Sequence, residues 1–111
     1  MKVFIPFHED MAFQILAGRK TCTSRNKRYG NPGDTFNVRD ETEETVCELT
    51  EVKKEKLQTV AYEYYRAEGF NSVEGFVDKW NEIHPRKGYQ PLQEVWLHIF
   101  KLIEQEKLCK D

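Results

Sequence analysis

The chain has 111 residues, with 17 basic and 19 acidic side chains and a net charge of −2. That length suits one domain, since single domains commonly run from about 50 to 200 residues, and the slight negative charge argues against a protein that tracks long stretches of nucleic acid. Aromatic residues at 13% supply a core, charged residues at 32% supply a solvated surface, and no apolar run approaches the roughly 20 residues that cross a bilayer.

Lys2 to Ile5 reads as a short first strand ended by Pro6, and Met1-Lys2 lead only into Val3-Phe4-Ile5-Pro6-Phe7, which is no secretory signal. Phe7 to Ala17 reads as a helix. Glu9 and Asp10 lie in its first turn, where acids favour the dipole, and Met11, Ala12, Ile15 and Leu16 share one side. Gly18 can stop this helix in the left-handed conformation. Thr21 to Arg25 follows as a strand, with Thr21, Thr23 and Arg25 on one face and Cys22 turned toward the core.

Asn26 to Gly33 is a basic loop closed by the turn signal Asn31-Pro32-Gly33. Thr35 to Arg39 is a strand with Phe36 and Val38 inward, and Asp40 to Glu44 is an acidic, solvated tip. Val46 to Val52 is the next strand, with Cys47 and Leu49 in the core, and the charged Lys53 to Lys56 leaves the sheet. Leu57 to Ala67 reads as a helix ended by Glu68-Gly69-Phe70. Asn71 or Ser72 caps the next helix, in which Val73, Phe76, Val77, Trp80 and Ile83 keep helical spacing until Pro85. After a loop with Gly88-Tyr89, Val95 to Ile103 is apolar on both faces apart from His98 and Lys101, which suits a central strand. The charged tail, 104 to 111, frays or forms a terminal helix.

Charge is distributed unevenly. Arg19, Lys20, Arg25, Lys27 and Arg28 occur with no acid between 19 and 28, whereas 40 to 51 carries Asp40, Glu41, Glu43, Glu44, Glu48 and Glu51 with no base. The stretch Gly18-Arg19-Lys20-Thr21-Cys22-Thr23-Ser24-Arg25 therefore sets three cations among three hydroxyls. Such a set can hold a phosphate or carbonyl oxygen, and it can equally be a solvated basic turn followed by ordinary strand threonines. Cys22, Cys47 and Cys109 are odd in number, form no C-x-x-C pair and have no histidine at zinc spacing, so reduced thiols in a cytoplasmic protein are expected and no metal or other cofactor is. Of the aromatics, Tyr62, Tyr64, Tyr65, Phe70, Tyr89 and Trp96 can stack on bases or simply pack, with Tyr89 in its Gly-flanked loop the best stacking candidate. His98 is expected to be a satisfied core histidine, His84 a helix end, and His8 exposed.

Phe7-His8-Glu9-Asp10, Ile15 to Arg25 and then Pro32-Gly33-Asp34-Thr35-Phe36 together resemble an ASCH domain, over about residues 3 to 103. The likeness is greatest to the small single-domain members, among them the bacterial N(4)-acetylcytidine amidohydrolases. It implies an α+β, PUA-like fold: one domain holding a small β-barrel of about five or six strands closed on itself, with about three helices at its side. It also implies a Lys, Thr and Glu active set, matched here by Lys20, Thr23 and Glu68. In those roles Thr23 is the nucleophile, Lys20 its base and Glu68 the proton donor to the leaving amine. Arg19, Thr21, Arg25 and Tyr89 are the accompanying substrate-binding candidates. Lys20 and Thr23 are three apart, so on a straight strand they face opposite ways; they meet only if Lys20 lies in the turn before the strand or a bulge re-aims it.

The expected ligand is a nucleoside or a short single-stranded RNA. Amide hydrolysis of N(4)-acetylcytidine stands beside two alternatives that use the same basic cleft, a non-catalytic RNA-binding module and a ribonuclease.

Overall fold

The structure, a computed structural model, describes residues 1–107. Its elements in order are α1 (Glu9–Leu16), β1 (Cys22–Arg25), β2 (Thr35–Arg39), β3 (Glu43–Lys56), α2 (Leu57–Glu63), α3 (Val73–Ile83) and β4 (Glu94–Lys107). The four strands form one antiparallel sheet in the order β1-β4-β3-β2. The sheet curls into a half-barrel with the helices at its sides.

Strand β4 is central because both of its faces are apolar. Val95 and Leu97 pack with Cys22, Leu57, Val60, Ala61, Phe76 and Trp80 under α2 and α3. Phe100 packs with Ile5, Ala12, Ile15, Leu16, Phe36, Val38, Cys47 and Leu49 under α1. Strand β1 pairs with β4 over a short four-residue ladder. Helix α3 starts on Ser72, whose Oγ accepts from the Gly75 N–H at 3.0 Å, so Ser72 rather than Asn71 is the cap.

Several expectations are corrected. Among the described residues the sheet has four strands and curls into a half-barrel, not a closed barrel of five or six. The expected strand at Lys2 to Ile5 is reduced to one bridge, Lys2 to Thr35. The ring of Pro6 removes the next backbone donor, and Phe4 is 78% exposed, so nothing draws the segment further along the sheet. Lys53 to Lys56 does not leave the sheet: Lys53 lies 3.5 Å from both Glu51 and Glu55, its neighbours two residues away on the same face, and pairs with Leu97 on β4. Helix α2 stops at Glu63, and Tyr64 to Glu68 turns instead. Residues 104–107 continue β4 and are neither frayed nor helical; Cys109 and the rest of the tail lie outside the described residues. No helix among the described residues is long and apolar enough to cross a membrane.

Candidate functional site

Four backbone hydrogen bonds build the site where α1, β1 and the turn after α2 meet. Gly18 ends α1 at φ +80. The chain then doubles back, so that the N–H groups of Arg19 and Lys20 both reach the Gln14 carbonyl, at 2.9 and 3.1 Å. Lys20 thus lies in the turn before β1, which frees its side chain from the strand's alternation. On the other side, the Ala67 carbonyl accepts from the N–H groups of Thr21 and Cys22 at 2.7 and 3.1 Å, and this clamps the turn holding Glu68 to the start of β1. Gly69, at φ +102, is required here: a Cβ would lie 3.3 Å from Lys20 Cβ and 3.4 Å from Gln14 Cβ.

The clamp brings Lys20 and Glu68 together in the interior, each 3% exposed. Lys20 Nζ donates to Glu68 Oε1 at 2.9 Å and to the Glu68 carbonyl at 3.0 Å. Ser24 Oγ donates to the other carboxylate oxygen at 2.5 Å. The carboxylate is therefore satisfied on both oxygens, as a buried charge must be. Thr23, 4% exposed, faces the same cleft, but among the described residues its Oγ1 is paired with Arg25 Nε at 3.2 Å and not with Lys20. Arg25 is anchored further by its Nη2, which donates to the Pro6 carbonyl at 2.6 Å. Its guanidinium sits 4.8 Å from the Phe7 ring centroid and 5.5 Å from that of Tyr29, and burial lowers its pKa below the usual arginine value.

These groups lie on the wall of a cleft of about 390 Å³, toward the lower end of the range of about 300–1,000 Å³ for small-ligand sites. Phe7, Met11 and Tyr29 line one side; Phe70, Phe76, Trp80 and Ile83 line the other. Phe70 meets Phe76 edge-on at 5.7 Å, and Phe76 lies nearly parallel to Trp80 at 6.1 Å. At the rim, Lys79 of α3 reaches Asp10 of α1 at 2.8 Å and Glu82 at 2.8 Å, which raises the Lys79 pKa and lowers that of Asp10. An apolar slot with a buried ion pair, two hydroxyls and a guanidinium at one wall can hold a flat polar ring and engage a carbonyl or a phosphate oxygen.

Of the candidates read from the sequence, Lys20, Thr23, Arg25 and Glu68 line this cleft together, and Arg19, Thr21 and Tyr89 do not. Arg19 is exposed and donates to Gln14 at 2.7 Å. Thr21 is exposed, with its backbone tied to Ala67 and Phe100. Tyr89 packs on the α2–α3 core, its N–H held by Asn81 at 2.7 Å. Tyr62 is 68% exposed elsewhere, and Phe70 is the aromatic from the stacking set that reaches the cleft. Ser24, the third hydroxyl of the motif and outside the Lys, Thr and Glu set, joins the site because the deep Glu68 turn reaches it. His98 is the buried, satisfied histidine expected, accepting from the Tyr29 N–H at 3.0 Å. Among the described residues, no group of three or more His, Cys, Asp or Glu side chains is placed to hold a metal ion.

No family model matches the sequence, and no curated protein matches it. Solved structures do match in fold. An ASCH domain from Lactobacillus crispatus JV V101 superposes with a TM-score of 0.62 at 15% identity, over 93% of this chain and 79% of that one. A protein of Enterococcus faecalis V583 assigned to the family DUF984 gives 0.65 at 16% identity, over 87% of this chain and 72% of that one. A hypothetical protein, PH0355, gives 0.68 at 16% identity, over 93% of this chain and all of the other. The chain has an ASCH-like fold, in keeping with a PUA-like architecture built here on four strands.

Proposed function

We propose that this ASCH-like domain binds one base of a nucleoside or short RNA in the aromatic cleft and hydrolyses an acyl-amide on it, N(4)-acetylcytidine to cytidine and acetate being the named case. The observation that carries this reading is the buried Lys20–Glu68 pair facing Thr23 in a cleft of one-base size. A proton moved from Lys20 Nζ to Glu68 Oε1, across 2.9 Å, converts the ion pair into a neutral amine and a carboxylic acid. Those are the base and the acid the reaction needs.

From that form the steps balance. Thr23 Oγ1 attacks the acyl carbon while Lys20 takes the hydroxyl proton. The Arg25 guanidinium, whose Nε donates to Thr23 Oγ1, supplies positive charge to the developing oxyanion. The C–N bond breaks as Glu68 protonates the leaving amine, and the Lys20–Glu68 ion pair is restored. Water then attacks the acyl-threonine; Glu68 takes one of its protons, Lys20 returns one to Thr23 Oγ1 as the acyl–oxygen bond breaks, and acetic acid leaves and ionises to acetate in solvent.

A second reading keeps the cleft and drops the chemistry. It is favoured by one observation, that Thr23 Oγ1 is paired with Arg25 and not with its base. In that reading the domain is an RNA-binding module. The two readings, and a ribonuclease, separate in one panel of N(4)-acetylcytidine and an end-labelled single-stranded RNA. Amide hydrolysis releases cytidine and leaves the label intact. A binding module retains the RNA, with affinity falling as salt rises, and forms no product. A ribonuclease shortens the RNA and ignores the nucleoside.

A further inference from the structure

A second groove of about 380 Å³ adjoins the base cleft, and the two share Asn26, Trp80 and His84. Its other walls are Lys87, Gly88, Gln93 and Glu94. The chemistry changes across the shared wall. The first cleft is mainly apolar, and its cations are engaged: Lys20 by Glu68, Arg25 by the Pro6 carbonyl and Thr23, Lys79 by Asp10 and Glu82, with Lys27 over the Tyr29 ring; the second is made of amides, one cation, one imidazole and one carboxylate beside the shared Trp80. Trp80 and His84 form the partition, their rings stacked at 4.1 Å and 24°, with His84 Nδ1 held 3.2 Å from the Trp80 carbonyl.

We infer that this groove is a ribose-phosphate subsite, so that the ligand is a base bearing a phosphate and not a bare nucleoside. The inference rests on the reading of the first cleft as a base site. A base is flat and half apolar, whereas its sugar and phosphate are polar, and the two compartments divide along that line. The phosphate takes the Lys87 ammonium and the His84 ring. The ribose hydroxyls take the acceptors, Glu94 and the amides of Asn26 and Gln93. Glu94 does not repel the phosphate at full strength, because Lys54 lies 3.8 Å from its carboxylate.

The groove is also built to hold its form. Gln93 Nε2 donates to Asn26 Oδ1 at 2.8 Å and closes one end between segments 67 residues apart. Asn81 Oδ1 accepts from the Tyr89 N–H at 2.7 Å and would lie 2.9 Å from a Cβ on Gly88, whose φ is +65. Only glycine lets the loop pass that close at that φ. Beyond Asn26, Arg28 and Lys54 both lie over the Trp96 ring, at 5.1 and 5.2 Å, and continue the basic track.

The phosphate can belong to a mononucleotide or to a chain, and the test separates the two. Purified protein is assayed, for binding by tryptophan fluorescence and for deacetylation, with N(4)-acetylcytidine, its 3′- and 5′-monophosphates and a trinucleotide carrying it centrally. Lys87→Ala and Gln93→Ala run beside the wild type. Neither residue lines the base cleft, and Lys87 is exposed, so its replacement leaves the core untouched. A phosphorylated form should be favoured about tenfold over the nucleoside, the size of one charge-assisted contact. Lys87→Ala should erase that preference and leave the nucleoside unchanged. Preference for a monophosphate assigns a nucleotide ligand; preference for the trinucleotide alone assigns a strand. A nucleoside handled as well as every phosphorylated form overturns the subsite and leaves the base cleft standing. Failure of all four ligands to bind or react overturns the base cleft and the subsite with it.

Discussion

Lys20 and Glu68 are separated by 48 residues of chain, yet Nζ and Oε1 are 2.9 Å apart, with both residues 3% exposed. The ion pair locks the end of α1 to the turn after α2, and it stores the acid and base of the proposed reaction in one contact. Removing either partner leaves the other charge buried and unpaired, which costs about 3–5 kcal/mol. Lys20→Met and Glu68→Leu should each lower stability by that order in urea unfolding. The double variant should recover most of the loss, because the desolvation penalty goes with both charges. Additive losses would show that the pair is not coupled.

Ser24 and Thr23 are adjacent in sequence but differ in chemistry. Ser24 Oγ donates to Glu68 at 2.5 Å, whereas Thr23 Oγ1 accepts from Arg25 at 3.2 Å. Ser24→Ala should reduce kcat about tenfold through Glu68 and keep turnover, the scale of one lost hydrogen bond to a charged group. Single-turnover kinetics with the two alanine variants checks this. If Ser24→Ala abolishes turnover and Thr23→Ala does not, Ser24 is the nucleophile.

The sequence showed the outlines of this site because its chemistry is local on one side. Gly18, Lys20, Thr23 and Arg25 sit within eight residues, and the left-handed Gly18 was readable as the device that lifts Lys20 out of the strand's alternation. Core positions were equally legible: period and polarity place Ile15, Phe36, Leu49 and Phe76 inside, and each is buried. What could not be read depends on contacts between distant segments. Arg19, Thr21 and Tyr89 looked like cleft residues for being near the motif or in a glycine loop, and the turns put them elsewhere. Ser24 is a site residue only because the Ala67 carbonyl pins the Glu68 turn against β1. The charged run at Lys53 to Lys56 read as an exit from the sheet, since alternating charges on a solvent-facing strand resemble a loop when the partner strand is unknown.

Arg25 holds two acceptors with two nitrogens, Pro6 O at 2.6 Å and Thr23 Oγ1 at 3.2 Å, and stacks near Phe7 and Tyr29. Lysine has a single nitrogen and no planar face to offer. Arg25→Lys should therefore retain the charge and lose at least about tenfold in kcat/KM, the size of one charged hydrogen bond. Circular dichroism should be unchanged. Full activity in Arg25→Lys would mean that only the charge matters.

His98 links stability to pH. Burial pushes its pKa below the ordinary 6.5, and the nearby Arg25 and Arg28 cations act in the same direction. Its Nε2 accepts from Tyr29 and its Nδ1–H faces the Trp96 carbonyl at 3.1 Å, so the folded ring is neutral. Between the lowered folded value and 6.5 the unfolded chain binds a proton that the folded chain does not. Stability from this group is complete above 6.5 and falls as pH drops from there toward the folded pKa. Urea midpoints between pH 5 and 8 should show that loss, and His98→Gln should flatten this part of the profile.

The two described cysteines should be inert in the native protein. Burial raises the Cys47 pKa to about 12. Burial, helped by the Glu68 charge, raises that of Cys22 still further. Alkylation with iodoacetamide followed by mass mapping should leave both unlabelled when native and label both in urea. Native labelling of Cys22 would show that β1 opens away from α2 and α3.

The most direct test of the proposed chemistry follows cytidine release from N(4)-acetylcytidine by chromatography, with wild type and Thr23→Ala side by side. The account predicts release by the wild type and none by Thr23→Ala, which should keep its fold and its affinity for the ligand. Equal release by both proteins, or none by a folded wild type that binds the nucleoside, would contradict it.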